Sequence, residues 1–151
     1  MTPDMELALT ARAENIAVVR YALGGLGEAF AVSESKLSDI RLAVTEACAN
    51  VVVHAYPDDR HGPMEVIASK DEDTLTVLVR DWGRGIGPRP DSPGLGLGLS
   101  LIAALADSVQ LAHGDIEHTE VRMTFSLTDS QTSVPTAPDT PLRAQASGHE
   151  A

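Results

Sequence analysis

Two segments of alternating apolar residues, joined by a short acidic turn, constrain the fold of this chain most strongly. Residues 64–69 and 74–80 both have the pattern of β-strands, and Asp71, Glu72 and Asp73 lie between them. Strands joined by so short a connection pair antiparallel. The sequence therefore predicts a β-hairpin in the middle of the chain.

Two segments with helical periodicity precede this hairpin. The first has Asn15 as its predicted N-cap and ends near Gly27, and its apolar residues recur at three- and four-residue spacing: Ile16, Val19, Leu23 and Leu26. The second has Ser33 as its predicted N-cap, and its apolar residues recur in the same way: Ile40, Val44, Ala47, Val51 and Ala55. Both helices are therefore predicted to pack one face on a core.

The remaining segments complete an alternation of strands and helices. A short strand around residues 5–9 opens the chain, and a glycine-rich loop over 83–98 leads to a helix over 99–106 and strands over 108–112 and 120–127. This order predicts an α+β two-layer sandwich with helices on one face of a mixed, mainly antiparallel sheet. Residues 1–127 are predicted to form one domain. The polar residues 128–151 are predicted to form a disordered tail.

Composition indicates the surroundings in which the protein works. The formal net charge of −11 would repel phosphate backbones, so we expect no nucleic-acid partner, whereas a basic protein partner would be attracted. The single cysteine, Cys48, excludes an internal disulfide and is interpreted as a buried packing residue of a protein in a reducing compartment. Neither a secretory signal nor a membrane-spanning segment is recognised, so we expect a cytoplasmic protein with no membrane partner.

One pair of polar residues in the second helix has the spacing of a catalytic site. Glu46 and Asn50 are four residues apart and therefore lie on one helix face. A carboxamide oxygen is a hard ligand that suits Mg²⁺, and a carboxylate one turn away can accept a proton from a hydroxyl or a water. Taken alone, the pair also fits an ordinary polar helix edge.

A second signal follows the hairpin. Asp81 comes directly after an apolar strand, and Gly83, Gly85 and Gly87 follow it. A carboxylate can accept a hydrogen bond from an exocyclic amine such as that of adenine, and glycines let the backbone approach a flat ring. In isolation the segment fits a tight surface turn equally well.

A third signal is the series Gly94, Gly96 and Gly98 at the entry to a helix. Free backbone N–H groups and a helix N-terminus together favour phosphate binding. The dinucleotide pattern G-x-G-x-x-G is excluded, because Leu99 stands where its third glycine is needed and no strand precedes the glycines. A Walker loop is excluded because no Gly-Lys-Ser/Thr sequence occurs.

The three segments together resemble a known superfamily. RLAVTEACANVVVHAY, VRDWGRGIG and GLGLGLSLI are similar to the N, G1 and G2 boxes of the GHKL ATPases, which have the Bergerat-type nucleotide-binding fold. Within that superfamily the chain most resembles the anti-sigma-factor serine/threonine kinases of the sporulation and stress-response type. The T-E-A-x-x-N-x-x-x-H-A-Y run and ENIAVVRYAL carry this narrower similarity, which covers residues 5–127.

The resemblance implies a role for each matching residue. Glu46 would be the general base of an ATP-dependent protein kinase, and Asn50 would be the ligand of Mg²⁺. The adenine amine would be bound by Asp81, with Thr119 contacting that Asp. The remaining nucleotide contacts would come from glycines and backbone N–H groups: Gly83, Gly85, Gly87, Gly94, Gly96, Leu97, Gly98 and Leu99. Arg20 would contact a sigma factor, an antagonist protein would accept the phosphate, and the chain would form a homodimer.

Some features depart from the family pattern and leave alternatives open. His118 replaces the expected glycine before Thr119, and the segment between Asp81 and Gly94 is shorter than many family lids. The first alternative is therefore a nucleotide-dependent binding module that transfers no phosphate. The catalytic domain of a histidine kinase would need a dimerising helical pair, for which residues 1–40 have no room. A hydrolase of the gyrase or chaperone type would need further domains.

Overall fold

The computed structural model describes residues 2–58, 60–84, 95–113 and 117–129. Its elements are β1 Met5–Thr10, α1 Ala13–Ala29, α2 Glu34–Asn50, β2 Pro63–Asp71, β3 Thr74–Asp81, α3 Leu95–Leu105, β4 Ser108–His113 and β5 Thr119–Ser126. Helix α2 continues directly into a π-helical turn, Val51–Ala55. The predicted order of strands and helices is confirmed.

The five strands form one sheet in the order β1-β2-β3-β5-β4. All four pairings between these described strands are antiparallel. The predicted hairpin is β2–β3, and Glu72 in its turn has a φ of 49°. Helix α3 lies between β3 and β4 in sequence, and β5 inserts between those two strands in the sheet. The predicted α+β class is confirmed.

The buried face of the sheet follows from the alternation within its three central strands. Val66 of β2, Val79 of β3 and Val121 of β5 are aligned across the sheet, and each is at most 1% exposed. The three helices contribute buried side chains to the same core: Val19, Leu23, Ile40, Val44 and Ile102. The predicted two-layer arrangement therefore forms, since apolar residues at alternate strand positions face one helical layer.

The other face of the sheet carries charged residues in register. Glu65 of β2, Arg80 of β3 and Glu120 of β5 are aligned. Arg80 Nε donates to Glu120 Oε2 at 2.5 Å, and Arg80 Nη1 lies 3.7 Å from Glu65 Oε2. Cross-strand pairs of opposite charge stabilise the pairing of these strands.

Helix α1 begins three residues earlier than the sequence predicted. Arg12 occupies the N-cap position with extended backbone angles and no capping side-chain hydrogen bond. Asn15, the predicted cap, instead donates from Nδ2 to the carbonyl oxygen of Thr10 at 2.6 Å. The prediction was wrong because this side chain joins the helix to the end of β1.

Helix α1 also continues past the glycine at which it was predicted to end. A Cβ at Gly27 would lie 2.7 Å from Cδ1 of Leu37, so this glycine allows α1 and α2 to approach each other. The helix ends at Ala29, after which Ala31 has a φ of 53° and the N–H of Val32 donates to the carbonyl of Gly27 at 2.9 Å. This 6→1 bond is typical of a Schellman ending.

The starts of the other two helices differ in how well they were predicted. Ser33 caps α2 as expected, since its Oγ accepts from the N–H of Lys36 at 3.3 Å. Helix α3 begins at Leu95, four residues before the predicted start at Leu99. Gly96 and Gly98 therefore lie within the first two turns of a helix, whereas the sequence predicted that they belong to a loop.

Residues 130–151, most of the predicted tail, lie outside the described residues. At its start, Asp129 Oδ1 accepts a hydrogen bond from Ser33 Oγ at 3.1 Å. Among the described helices, none is long and apolar enough to cross a membrane.

Candidate functional site

The C-terminal half of α2 carries the two candidate residues Glu46 and Asn50. Ala47 and Cys48 are fully buried and hold this part of the helix in the core, and burial raises the pKa of the Cys48 thiol to about 12. Asn50 is buried at 7% exposure, whereas Glu46 is partly exposed. Glu46 has no hydrogen-bond or ion-pair partner within the described ranges, so its carboxylate is available to a substrate.

Asn50 faces the first turns of α3. A Cβ at Gly98 would lie 3.2 Å from both Nδ2 and Oδ1 of Asn50, so the absent side chain leaves room for this carboxamide. Asn50 Nδ2 is buried and has no hydrogen-bond partner among the described residues. A buried N–H group without a hydrogen-bond partner costs about 1–3 kcal/mol of folding stability. Such a cost is expected where the group is kept to bind a ligand.

The π-helical turn Val51–Ala55 connects this helix to the candidate adenine site. Its last carbonyl, that of Ala55, accepts the N–H of Arg84 at 2.7 Å. A Cβ at Gly83 would lie 2.0 Å from the same carbonyl oxygen, so only glycine fits this contact. Single π-helical turns are frequent at functional sites. Here the turn positions the backbone after β3 relative to Asn50.

Asp81 is the last residue of β3 and is 1% exposed. Its Oδ1 accepts the N–H of Gly83 at 3.0 Å, which orients the carboxylate within the turn. Thr119, the first residue of β5, is its direct cross-strand neighbour and is 4% exposed. The predicted Asp–Thr pair is therefore adjacent, because both residues lie at the same end of neighbouring strands.

The other predicted nucleotide contacts are only partly described. Gly85, Gly87 and Gly94 lie outside the described residues. Leu99 is the fifth residue of α3, so its N–H can bond the carbonyl of Leu95 within the helix. Gly96, Leu97 and Gly98 fall in the first four residues, where N–H groups lack partners within the helix. Their backbone is therefore placed as a phosphate-binding helix N-terminus requires.

A cavity of about 690 Å³ lies elsewhere, along the strand ends of β1 and β2. Thr10, His61, Glu65 and Trp82 are among the residues that line it. Glu46, Asn50 and Gly98 do not line it, so we do not assign it to the nucleotide.

Arg20, the predicted partner contact, is an exposed residue of α1 whose side chain reaches α2. Its Nη1 donates to Thr45 Oγ1 at 3.1 Å. It lines a groove of about 370 Å³ with Arg41 and Leu42, and a second hollow of about 280 Å³ with Arg41 and Tyr21. Tyr21 is 82% exposed, and the buried Nε of Arg41 has no hydrogen-bond partner among the described residues.

Two contacts near the site were not found by sequence reasoning. Tyr56 hydrogen-bonds the backbone next to Asp81, as its O–H accepts the N–H of Trp82 at 3.1 Å. The ring of Trp82 lies 6.2 Å from that of His118, the residue that replaces the expected glycine. The position of Tyr56 at the end of the H-A-Y run was the one available signal. The ring pair has no signal in the sequence, because it joins segments 36 residues apart.

The chain matches the family model described as "Histidine kinase-like ATPase domain" over residues 9–125. It is similar to serine-protein kinases named RsbW. That of one strain of Bacillus cereus is 32% identical over 126 residues, which cover 74% of this chain and 78% of that protein. The one from Bacillus thuringiensis subsp. konkukian has the same identity and coverage.

Solved structures give a consistent result. The RsbU and RsbW domains of a Mycobacterium tuberculosis protein match with a TM-score of 0.64 and 25% identity over 83% of this chain, which spans 33% of that larger chain. The SiaB–SiaC complex from Pseudomonas aeruginosa matches with a TM-score of 0.59 over 79% of this chain and 88% of the other. At 16% identity, the latter shows a shared fold alone.

Proposed function

This chain belongs to the histidine kinase-like ATPase family and, within it, to the anti-sigma serine-protein kinases, and we propose that Glu46, Asn50, Asp81 and the start of α3 form its Mg·ATP site. The protein is a serine-protein kinase that uses ATP. Family membership does not say which residues do the chemistry. Their arrangement supports the assignment that follows.

The observation that carries this assignment is the unpartnered carboxamide of Asn50 against Gly98. Its oxygen suits Mg²⁺, which binds few protein oxygens and takes its other ligands from water and phosphates. No three His, Cys, Asp or Glu side chains cluster as metal ligands in the described part of the chain. Asn50 together with substrate phosphates therefore fits this metal, which would neutralise phosphate charge in the transition state.

Phosphoryl transfer then requires a base, a phosphate site and a nucleobase site. Glu46 accepts the proton of the attacking serine hydroxyl. The serine oxygen bonds to the γ-phosphorus while the bond from that phosphorus to the β-phosphate oxygen breaks, and ADP leaves. The N-terminus of α3 stabilises the charge on the phosphates. Asp81 accepts a hydrogen bond from the amine of adenine. Each group lies on a regular element, so little reorganisation is needed.

Transfer of radiolabel from the γ-phosphate of ATP tests this function directly. The full chain is incubated with labelled ATP, Mg²⁺ and a candidate antagonist protein, beside an antagonist whose acceptor serine is replaced by alanine. Label is expected on the unmodified antagonist only. Nucleotide binding without any label on the antagonist would favour the binding-module alternative.

Asn50→Ala separates a metal-binding role from a structural one. We expect the Mg²⁺-dependent part of ATP affinity to fall by about 10-fold, because a metal ligand is lost. We do not expect the free energy of unfolding to fall, because the removed amide has no partner to lose and its unpaired N–H groups cost about 1–3 kcal/mol. Calorimetric titration with and without Mg²⁺, and urea denaturation, measure the two quantities. An equal loss of affinity without Mg²⁺ would contradict the metal role.

The second activity, sequestration of a sigma factor, is assigned to the surface around Arg20. Arg20 and Arg41 share two adjoining hollows, and exposed Tyr21 lies beside them. Arginine and tyrosine are the residue types that most often anchor protein partners. A partner with acidic groups at its contact surface fits these two cations.

Arg20→Ala is expected to weaken sigma-factor binding by about 10-fold and to leave ATP affinity unchanged, because within the described residues Arg20 hydrogen-bonds Thr45 and neither Asn50 nor Asp81. Arg12→Ala is the matched control, since Arg12 is an exposed arginine at the start of the same helix. Surface plasmon resonance with the immobilised sigma factor measures both variants. Equal binding by Arg20→Ala and the wild type would remove Arg20 from the interface.

The same proposal includes a homodimer in the cytoplasm that does not bind nucleic acid. The net charge of −11 supports the last point, since phosphate backbones would be repelled. Light scattering after size-exclusion chromatography tests the dimer. A monomeric mass at micromolar concentration would contradict it.

A further inference from the structure

Tyr56 joins three backbone segments that meet beside Asp81. It follows the π-helical turn that extends α2, and its phenol O–H donates to the carbonyl of Pro63, the first residue of β2. The same oxygen accepts the N–H of Trp82 at 3.1 Å. One side chain therefore links the end of the Asn50 helix, the start of β2 and the residue that follows Asp81.

The ring of Tyr56 packs against the backbone at Gly62. A Cβ at Gly62 would lie 2.1 Å from Cε1 of Tyr56, so the ring occupies the space that a side chain at position 62 would need. The carbonyl of Gly62 in turn accepts the N–H of Ala11 at 2.8 Å, which ties this loop to the end of β1. The phenol oxygen is therefore fixed relative to the sheet.

The phenol stays protonated and can act as donor and acceptor at once. Its pKa is raised above the ordinary value by desolvation, which outweighs the lowering by the Trp82 hydrogen bond, and the negative charge of Asp81 adds a smaller increase. A neutral phenol has one proton to give to Pro63 and lone pairs to receive the Trp82 N–H.

The turn after Asp81 is thus held at successive residues. Tyr56 binds the N–H of residue 82, Asp81 itself binds that of Gly83, and the carbonyl of Ala55 binds that of Arg84. Two of these three contacts come from the consecutive residues Ala55 and Tyr56. The direction of the Asp81 carboxylate depends on this backbone, because its Oδ1 is bonded within the same turn.

We propose that Tyr56 is a positioning residue that sets the selectivity of this site for adenine over guanine. The proposal rests on the function proposed above, in which Asp81 binds the nucleobase. Adenine presents an amine donor where guanine presents the O6 acceptor, so a firmly aimed carboxylate attracts the first and repels the second. Sites built around a particular hydrogen bond reject an analogue that cannot form it.

Tyr56→Phe tests the proposal because it keeps the ring over Gly62 and removes the hydroxyl alone. We expect the Kd for ATP to rise by about 5-fold, the effect of one lost hydrogen bond, while the weaker binding of GTP stays unchanged. The ratio of the two affinities therefore falls by the same factor. Isothermal titration calorimetry with Mg²⁺ and each nucleotide measures it. The emission of Trp82, the single tryptophan, is expected to shift in the nucleotide-free protein.

Thr74→Val is the control for loss of a hydroxyl, since Thr74 is exposed and lies at the opposite end of β3 from Asp81. It is expected to leave both affinities unchanged. A purely structural role for Tyr56 would weaken ATP and GTP in parallel, and an unchanged ratio in Tyr56→Phe overturns the inference. A wild-type protein without preference for ATP would instead overturn the assignment of Asp81.

A second variant covers the case in which Tyr56→Phe does not fold. In Tyr21→Phe protein made with 3-fluorotyrosine, Tyr56 is the one labelled position, and fluorine makes its oxygen a poorer acceptor for the Trp82 N–H. The ratio of ATP to GTP affinity is expected to fall relative to unlabelled Tyr21→Phe. An unchanged ratio overturns the inference here as well.

Discussion

Glu46→Gln is expected to lower phosphate transfer by roughly 10²- to 10⁴-fold, the usual contribution of a general base. The amide matches the carboxylate in size but cannot accept the serine proton. ATP affinity should stay close to that of the wild type, because a group that acts in the transition state alone contributes to turnover and not to substrate binding. Single-turnover transfer to the antagonist and calorimetric titration with ATP measure the two effects separately.

The position of Glu46 explains why its replacement is expected to lower phosphate transfer without changing ATP affinity. The side chain lies on the partly exposed face of α2, one turn before Asn50, and has no ion-pair partner within the described residues. Its replacement therefore breaks no described contact. Glu28→Gln makes the same chemical change at an exposed position of α1 and should leave transfer unchanged. Wild-type transfer by Glu46→Gln would remove Glu46 from the mechanism, and a loss of ATP binding would assign it to binding instead.

The order of elements could be predicted because each signal was local. Alternation in β2 and β3 and helical spacing in α2 both reflect the same buried layer, so they agree with the final packing. The ends of α1 could not be predicted in the same way. Gly27 was interpreted as a stop signal, yet it serves a contact with Leu37 that arises only once α1 and α2 have packed together.

In the candidate site, too, local sequence signals could be predicted and long-range contacts could not. Asn50 and Gly98 were each selected from sequence, but their contact depends on how α3 crosses α2. Gly83 was predicted to let the backbone approach the nucleobase closely. Its structural constraint is a close approach to the carbonyl of Ala55, 28 residues earlier in the chain. Sequence patterns therefore selected Asn50 and Gly98, which the structure brings together, but left out the backbone contacts that hold the predicted site.

That contact makes Gly83→Ala the second variant with a large expected effect. Its Cβ would lie 2.0 Å from the oxygen of Ala55 and 2.6 Å from the carbonyl carbon, both in the backbone, so no side-chain movement can relieve the overlap. The turn must move away from the π-helical turn. That movement would break the 2.7 Å hydrogen bond from the N–H of Arg84 and disturb the 3.0 Å bond from Gly83 to Asp81.

We expect ATP affinity to fall by about 100-fold in Gly83→Ala, because a displacement of about 1 Å at a positioning contact has an effect of this order. Gly25→Ala is the matched control, since a Cβ there meets nothing within 4 Å in the exposed face of α1. That change should raise the free energy of unfolding by about 0.5–1 kcal/mol, as alanine is the better helix former, and leave ATP affinity unchanged. Titration calorimetry and urea denaturation measure both variants. ATP affinity in Gly83→Ala equal to that in Gly25→Ala would show that the junction between Ala55 and the Asp81 turn does not position the nucleotide site.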